Sequence, residues 1–412
     1  MRNSNRLTMS RLNFRPSKTA LGIAGLYIPT MMLSFGQGMV IPLVPTLAKS
    51  FGVSPGLASQ IITANAVGKV ASLIPGGILV DRFNPKWSLV LGPLMITLSA
   101  VAMFLAPVFW VVLAAQFLAG AGDSLWLIGR EVTGLNLVHP DKRGRLMSGF
   151  MGISSVGLAL GPLLGGILSD SFNYRVVFLA YAVLGMVVLA MSIMIKHPTG
   201  VRTERRPALF RVGQIKKIAP YYRTTYLVLL FATFCMMLYR MSLNSAIPLY
   251  VGSQLGYSST QVGAVLGISG FFVLGMIIPA GFLMDKVGRK WATVPSAALP
   301  AAAFLILPFA HTMPQLYLLG AVLGIANGLA LGSLATSTYD VIPEHSRGSF
   351  QAFRRTVGEM GSVAGPLMGG VIADVFEPGV AFFAYTPLLV VTTLLLAFVA
   401  KESLVKEKTK PG

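Results

Sequence analysis

Long apolar stretches recur along this 412-residue chain, and short breaks rich in glycine, proline and charged residues separate them. Each stretch is about 20 residues long or more, which is enough for a helix to cross a bilayer. Inside lipid only helices and closed barrels satisfy their backbone polar groups, and long apolar runs without strand-like alternation are typical of helices. The pattern predicts twelve transmembrane helices, near residues 20–48, 57–80, 87–106, 108–136, 146–169, 176–195, 223–251, 260–284, 291–310, 314–339, 349–373 and 379–400.

The composition is typical of an integral membrane protein. The chain is 54% hydrophobic and 11% charged, whereas a soluble domain is about a quarter charged. The first apolar run continues to Ala48, too far for the apolar region of a signal peptide. The single Cys235 excludes an intramolecular disulfide and any metal site built from several cysteines, and the four histidines lack ligand spacing. We therefore expect no metal and no cofactor.

The basic charge of the chain follows its predicted topology. Of 33 Lys and Arg residues, 26 fall on one side of the predicted spans and only Lys49 and Arg175 fall on the other. Cytoplasmic loops carry such an excess of cations, so we expect both termini in the cytoplasm. The net charge of +19 therefore reflects topology, and we expect no nucleic acid as a partner.

The same pattern divides the chain into five parts. These are a basic cytoplasmic segment (1–19), an N-terminal six-helix half (20–195), a cytoplasmic central loop (196–222), a C-terminal six-helix half (223–400) and a cytoplasmic tail (401–412). Residues 201–223 mix cations with apolar residues. They could form an amphipathic helix on the inner leaflet or a solvated linker, and the sequence favours neither.

The two halves are related by an internal repeat. GGILVDRFNPKW (76–87) aligns with AGFLMDKVGRKW (280–291), and GLALGPLLGGILSDSF (157–172) aligns with GSVAGPLMGGVIADVF (361–376). Both alignments have an offset of 204 residues, and the second has eight identities in sixteen positions. A six-helix unit used twice predicts two pseudo-symmetric bundles around a central cavity.

These repeats resemble the signature motifs of the major facilitator superfamily. The loop after the second span of each half is similar to motif A of that family, and the fifth span is similar to motif C of its twelve-helix drug:proton antiporters. The resemblance covers nearly the whole chain, and it implies a secondary transporter that works by alternating access, with its binding site near the midplane. The motif A residues are Gly77, Asp81, Arg82, Lys86, Gly281, Asp285, Gly288, Arg289 and Lys290, and the motif C residues are Gly157, Gly161, Pro162, Gly165 and Gly166.

The sequence departs from the family patterns at three places. Gln116 stands where motif B has an arginine linked to proton coupling, which questions the usual proton route. Asn84 and Pro85 replace the Gly-Arg of motif A in the first half. The acidic partner expected low in the fourth span is Asn136, whereas the second half has Asp340. We therefore expect the cytoplasmic charge latch to depend more on the second half.

The chemistry of these motifs suits a gate, although simpler explanations exist. A short loop with an aspartate and several cations can bond to neighbouring helix ends in one conformation and release them in another. The alternative is a tight turn whose cations reflect only the positive-inside rule and have no role in gating. The glycines of motif C give a smooth helix face for close packing, and Pro162 permits a bend. In a transporter, packing at a moving interface would itself serve the function.

Ionisable groups are costly in lipid, so those inside the predicted spans are candidates for a functional role. The five that we single out belong to the first-half spans and the eleventh span. At a rise of about 1.5 Å per residue, Asp123, Lys69 and Glu359 lie near the midplane, and Arg130 and Glu131 lie nearer the cytoplasm. In the resembling fold the second and eleventh spans meet and the fourth lines the cavity. That would let Lys69 face Asp123 and Glu359. We expect a proton-sensitive network there, although each charge could instead pair only to hold helices together.

Further candidates for the substrate cavity come from the first, fourth, seventh and tenth spans. Methionines suit a cavity that accepts varied apolar shapes, although each could equally be a lipid-facing or core residue. A fixed arginine favours an anionic substrate or a permanent carboxylate partner. The expected cavity residues are Arg240, Asn244, Gln37, Tyr239, Met241, Gln116 and Asn327.

The leading interpretation is a plasma-membrane transporter that exports amphipathic small molecules in exchange for protons. The alternative is a proton-coupled transporter of an organic anion or metabolite, which Lys69, Arg240 and Arg354 favour. A transport-dead receptor would be expected to have large soluble appendages, and no catalytic arrangement or phosphate-binding loop indicates an enzyme or ATP coupling. The expected partners are a small-molecule substrate, protons and the lipid bilayer, and we expect a monomer.

Overall fold

The computed structural model describes residues 18–139, 142–194, 218–343 and 347–403, with side chains described from residue 25 onwards. Most of the predicted N-terminal segment, central loop and C-terminal tail lies outside the described residues, and so does residue 195 at the end of the first predicted half.

The described residues form twelve long helical segments and contain no strand. Several segments include a short stretch of 3-10 helix or π-helix. We number them α1 (Lys18–Val40, Ile41–Leu43 and Val44–Phe51), α2 (Pro55–Arg82), α3 (Pro85–Leu105), α4 (Phe109–Leu137), α5 (Arg143–Ser171), α6 (Tyr174–Met194), α7 (Pro220–Pro248 and Leu249–Gln254), α8 (Ser259–Phe282 and Leu283–Val287), α9 (Lys290–Ile306 and Leu307–Phe309), α10 (Met313–Ala330 and Ser333–Val341), α11 (Arg347–Val375) and α12 (Val380–Leu394 and Leu395–Val399).

The twelve segments follow the predicted spans closely. Within the described residues, eleven are long and apolar enough to cross a membrane by length and composition. The other is α11, which contains Arg354, Arg355 and Glu359. The helices begin with ordinary signals: Pro55, Pro85 and Pro220 stand at the first turns of α2, α3 and α7, where a missing N–H costs nothing.

The six helices of each half pack in the same arrangement. In the first half α1 contacts α5 and α6, α4 contacts α2 and α3, and α3 contacts α6. The same contacts recur in the second half, with six added to each helix number. Each half buries its own apolar core, with Trp126 and Phe178 in the first and Tyr226 and Phe304 in the second. The fold is therefore two pseudo-symmetric all-α bundles.

The halves meet through two equivalent pairs of helices, α2 with α11 and α5 with α8. We call the two ends of the molecule the motif A end, which holds residues 83–84 and 288–289, and the opposite end, which holds residues 52–54 and 255–258. The tightest contacts lie towards the opposite end: a methyl group on Gly56 would overlap the Gly370 carbonyl, and one on Gly263 would overlap the Pro162 carbonyl. The positive-inside rule predicts that this end is extracellular.

Candidate functional site

A cavity of about 290 Å³ lies between the two halves. It is lined by side chains of α1, α2 and α4 from the first half and of α7 and α11 from the second, with one residue each from α5 and α6. Both charged and apolar groups face it, which is typical of a site with a few placed polar groups on an apolar wall. Its lining includes Gln37, Ile62, Asn65, Lys69, Leu73, Gln116, Asp123, Leu158, Met237, Met241, Asn244, Arg355 and Glu359.

The strongest charged contact in the cavity joins two helices of the first half. Lys69 Nζ on α2 lies 2.7 Å from Asp123 Oδ2 on α4, and each side chain is 31% exposed. The close packing of α2 on α4 makes this possible, because Gly68 and Gly120 allow the backbones to touch. Water in the cavity can therefore reach the ion pair, and a shift between α2 and α4 would change the distance between its two charges.

The carboxylate of Glu359 lines the same cavity from the second half. Among the described residues it has no ion pair and no side-chain hydrogen bond. One turn away on α11, Arg355 also faces the cavity, and its Nη1 lies 4.0 Å from Glu131 Oε2 on α4. This long ion pair joins the two halves towards the motif A end.

A chain of amide groups covers another part of the first-half wall. Gln37 Nε2 donates to Asn65 Oδ1 at 3.2 Å, and Asn65 Nδ2 donates to Gln116 Oε1 at 3.3 Å. Gln116 Nε2 then donates to the sulfur of Met103 at 3.3 Å. Gln116, which replaces the motif B arginine, is thus a neutral buried group in a hydrogen-bonded row.

Three residues predicted for the cavity lie elsewhere. Tyr239 and Asn327 are buried inside the second half, where the tyrosine hydroxyl donates to Asn327 Oδ1 at 2.6 Å and ties α7 to α10. Arg240 is half-buried and is not among the lining residues, although its neighbours Met237, Met241 and Asn244 are. The reason is helical rotation, because consecutive helical residues point about 100° apart.

Arg130 also points away from the cavity. Its side chain is only 7% exposed, and its guanidinium lies 5.2 Å from the centre of the Phe150 ring on α5. Glu131, the next residue, instead faces the second half. The two adjacent charges therefore serve different contacts, one within the first half and one between the halves.

The motif A residues of the second half form a charged cluster. Arg289 donates through Nη1 to Asp285 Oδ1 at 2.8 Å and through Nε to Asp340 Oδ2 at 2.9 Å. Burial alone would lower the pKa of Arg289, but the hydrogen bonds to both carboxylates outweigh it and the pKa is raised. Gly288 has φ 153°, a conformation that favours glycine. Lys290 Nζ donates to the Ala397 carbonyl on α12 at 2.8 Å.

The motif A loop of the first half is arranged differently. Asp81, Arg82 and Lys86 are exposed and form no ion pair within the described part of the chain. Asn84 caps α3 by accepting from the Lys86 backbone N–H at 2.9 Å, and Pro85 begins the helix. Because Asn84 and Pro85 make a helix start here, the loop lacks the glycine turn and the arginine that build the second-half cluster. Gly77 and Gly281 have open space around them.

The motif C residues form a packing face. Methyl groups on Gly157, Gly161 or Gly165 would overlap the backbone of α1, and one on Gly166 would overlap the Ser259 carbonyl of α8. Pro162 lies in the same face, against Gly38 of α1 and Gly263 of α8. This face therefore holds α5 against its own half and against the other half at once.

Asn65 and Arg355 are polar cavity residues that sequence reasoning did not assign to the site. Asn65 lies four residues before Lys69 and Arg355 lies four residues before Glu359, and residues so spaced share a helix face. That spacing was a usable signal. It would have placed Asn65 and Arg355 beside the two midplane charges.

Comparisons with known proteins agree with this architecture. The family model described as Major Facilitator Superfamily matches residues 26–225 and 229–412. "Quinolone resistance protein NorA" of Staphylococcus aureus is 22% identical over 361 residues, which cover 85% of this chain and 89% of that protein. "Multidrug resistance protein MdtH" of Salmonella arizonae is 26% identical, with 86% of each chain covered. "Multidrug resistance protein 1" of Bacillus subtilis is 22% identical over 89% of this chain and 93% of its own.

Two solved structures share the fold. A bacterial homologue of the human lysosomal transporter Spinster, crystallised in an inward-facing, unoccupied conformation, has a TM-score of 0.69 at 15% identity, over 93% of this chain and 96% of its own. The human organic anion transporter MFSD10 (TETRAN) has a TM-score of 0.66 at 16% identity, over 92% of this chain and 100% of its own. The chain belongs to the major facilitator superfamily, and it is a multi-pass transporter of the cell membrane.

Proposed function

We propose that this transporter exports amphipathic organic cations in exchange for protons. The observation that carries the proposal is the state of the charges in the cavity. Lys69 is paired with Asp123, and Arg355 faces Glu131. Glu359 is the lining carboxylate for which the described residues supply no partner. A carboxylate beside apolar surface is stabilised most by a bound cation or by protonation, so a cationic substrate and a proton would compete for it.

The rest of the cavity supports an apolar substrate body. Met237 and Met241 on α7 line the same cavity as the charged groups of the first half, and Leu73 and Leu158 add further apolar surface. Flexible thioether side chains adapt to different shapes, which suits a site that accepts several compounds. The names of the relatives from Staphylococcus, Salmonella and Bacillus refer to quinolone or multidrug resistance, which is consistent with this direction and substrate class.

Lys69 and Asp123 would carry the proton coupling that motif B provides elsewhere in the family. Gln116 cannot hold a charge, and it is occupied by Asn65 and Met103. A carboxylate that is paired in one state and released in another binds a proton in the second state. Asp123 is paired in this structure, and its partner belongs to α2, which also contacts the other half through α11, so movement between the halves would release it.

The alternative is a proton-coupled transporter of an organic anion, and the presence of Lys69 and Arg355 in the lining is the observation in its favour. Both cations face carboxylates of the protein, so an anion would have to displace an existing partner. This favours the cation proposal.

The test is flux in proteoliposomes under an imposed pH gradient, with ethidium as the lipophilic cation and p-aminohippurate as the organic anion. We expect gradient-driven flux of ethidium only. Glu359→Gln should lower it by about tenfold or more, whereas Glu377→Gln, which removes an exposed carboxylate outside the cavity, should not. Flux of p-aminohippurate alone would support the alternative, and ethidium flux that ignores the gradient would refute proton coupling.

A further inference from the structure

Two carboxylates occupy equivalent positions where the halves meet at the opposite end of the molecule. Asp170 and Asp374 are separated by the repeat offset of 204 residues. Each lies in the last turn of its own helix, because α5 ends at Ser171 and α11 ends at Val375. Each carboxylate contacts the first turn of a helix that belongs to the other half.

In the first of these contacts, Asp170 binds the N-terminus of α8. Its Oδ2 accepts a hydrogen bond from the Thr260 backbone N–H at 2.7 Å, and its Oδ1 accepts one from the Ser259 N–H at 3.2 Å. The first N–H groups of a helix have no partner inside that helix. A carboxylate therefore satisfies two of them and lies at the positive end of the helix dipole.

In the second contact, Asp374 binds the N-terminus of α2. Its Oδ1 accepts from the Gly56 backbone N–H at 2.7 Å, and its Oδ2 accepts from the Ser54 hydroxyl at 2.7 Å. Gly56 is the repeat equivalent of Thr260, and Pro55 is the equivalent of Ser259. Because proline has no N–H, the Ser54 hydroxyl donates the second bond instead.

The position of these aspartates is unfavourable for their own helices. A negative charge in the last turn of a helix opposes the negative end of the helix dipole. Both halves nevertheless carry Asp170 or Asp374 at that position, and in both the N-terminus of a helix from the other half neutralises the charge. The arrangement is thus favourable only while the halves are together.

We infer that Asp170 and Asp374 are two inter-half locks that hold the opposite end of the transporter closed. Opening that end separates α2 from α11 and α5 from α8, and it breaks all four hydrogen bonds. Both carboxylates lie on the exposed rim, so water replaces the lost partners and the locks can open and close repeatedly. Gly56 and Gly166 allow the close backbone approach that brings each carboxylate into range. The locks act whichever substrate is carried.

The experiment measures how often this end opens in the purified full-length chain. Ser59 on α2 is fully buried beside Gly370 of α11, so Ser59→Cys places a reporter thiol inside the closed interface. The native Cys235 is buried in the second half, and its labelling in the parent chain reports unfolding. The rate of maleimide labelling at Ser59→Cys is compared in Asp170→Asn, Asp374→Asn and the double variant.

Each single variant should raise the labelling rate about fivefold, and the double variant about 25-fold, if each lock loses its charge–dipole attraction. Asp170→Asn is the decisive variant, because Asp170 lies at the α5–α8 contact and reaches Ser59 only through movement of whole halves. The matched control is Glu377→Gln, since Glu377 accepts from Gln254 within the second half. An effect of Asp374→Asn alone, equal labelling in all variants, or a rise matched by Cys235 labelling would overturn the inference.

Discussion

Breaking the Lys69–Asp123 ion pair is the sharpest test of the cavity chemistry. Asp123→Asn removes the negative charge, leaves Lys69 without its partner, and keeps nearly the same side-chain volume. Lys69→Met removes the positive charge and leaves Asp123 without its partner. The double variant removes both charges, so it leaves no unpaired ion inside the bundle.

The size of the effect follows from the geometry. Two unit charges 2.7 Å apart attract by about 1.5 kcal/mol in water and about 6 kcal/mol at an effective dielectric constant of 20. Loss of one partner costs about 3–5 kcal/mol for a buried pair and about 0–1 kcal/mol for an exposed one. Each of these side chains is 31% exposed, so we expect about 2 kcal/mol for either single variant.

The assay is a double-mutant cycle on the free energy of unfolding in mixed detergent–SDS micelles. We expect the double variant to be about 2 kcal/mol more stable than the sum of the single effects predicts. Lys69→Met combined with the distant Glu377→Gln is the control and should be additive within about 0.5 kcal/mol. Additivity in the Lys69–Asp123 cycle would refute the pairing. The double variant should therefore be about as stable as either single variant, and it should still lack proton-driven flux, which separates coupling from folding.

Three further variants test contacts outside the cavity. Tyr239→Phe removes the buried bond to Asn327 and should cost about 1–3 kcal/mol of unfolding free energy; a raised half-saturation constant for transport would instead indicate substrate contact. Gly161→Val should abolish folded protein in size-exclusion chromatography, because the valine side chain would overlap α1. Gly144 has open space around it, so Gly144→Val is the control and should be tolerated. A normal yield of the Gly161→Val protein would contradict this packing. Arg289→Gln loses two carboxylate bonds and should lower the unfolding free energy by about 1–2 kcal/mol; an unchanged value would show that water already screens them.

The architecture was predictable because its causes are local or repeated. Lipid requires every backbone group to be bonded within a span, so apolar length alone predicts the helices. The 204-residue offset then predicts two equivalent bundles. The same offset shows that Asp123 corresponds to Asn327, so the charge at this position is not needed to build the bundle.

Side-chain direction was less predictable. Arg130 and Glu131 are adjacent in sequence, yet one packs on Phe150 within the first half and the other faces Arg355 of the second. Likewise Arg240 does not line the cavity, although Met241 does. Depth in the membrane follows from counting residues, but rotation of each helix about its axis is fixed by packing against its neighbours.

The sequence by itself determined the class of protein, the number and limits of the helices, and the two-fold repeat, because hydrophobic length and internal similarity are properties of the chain. It also indicated Lys69, Asp123 and Glu359 as costly midplane charges. Only the tertiary structure decided that Lys69 pairs with Asp123, while Glu359 faces the cavity with no partner among the residues that the structure describes. Those outcomes depend on which helices touch and at what rotation, and that is a property of packing between distant segments.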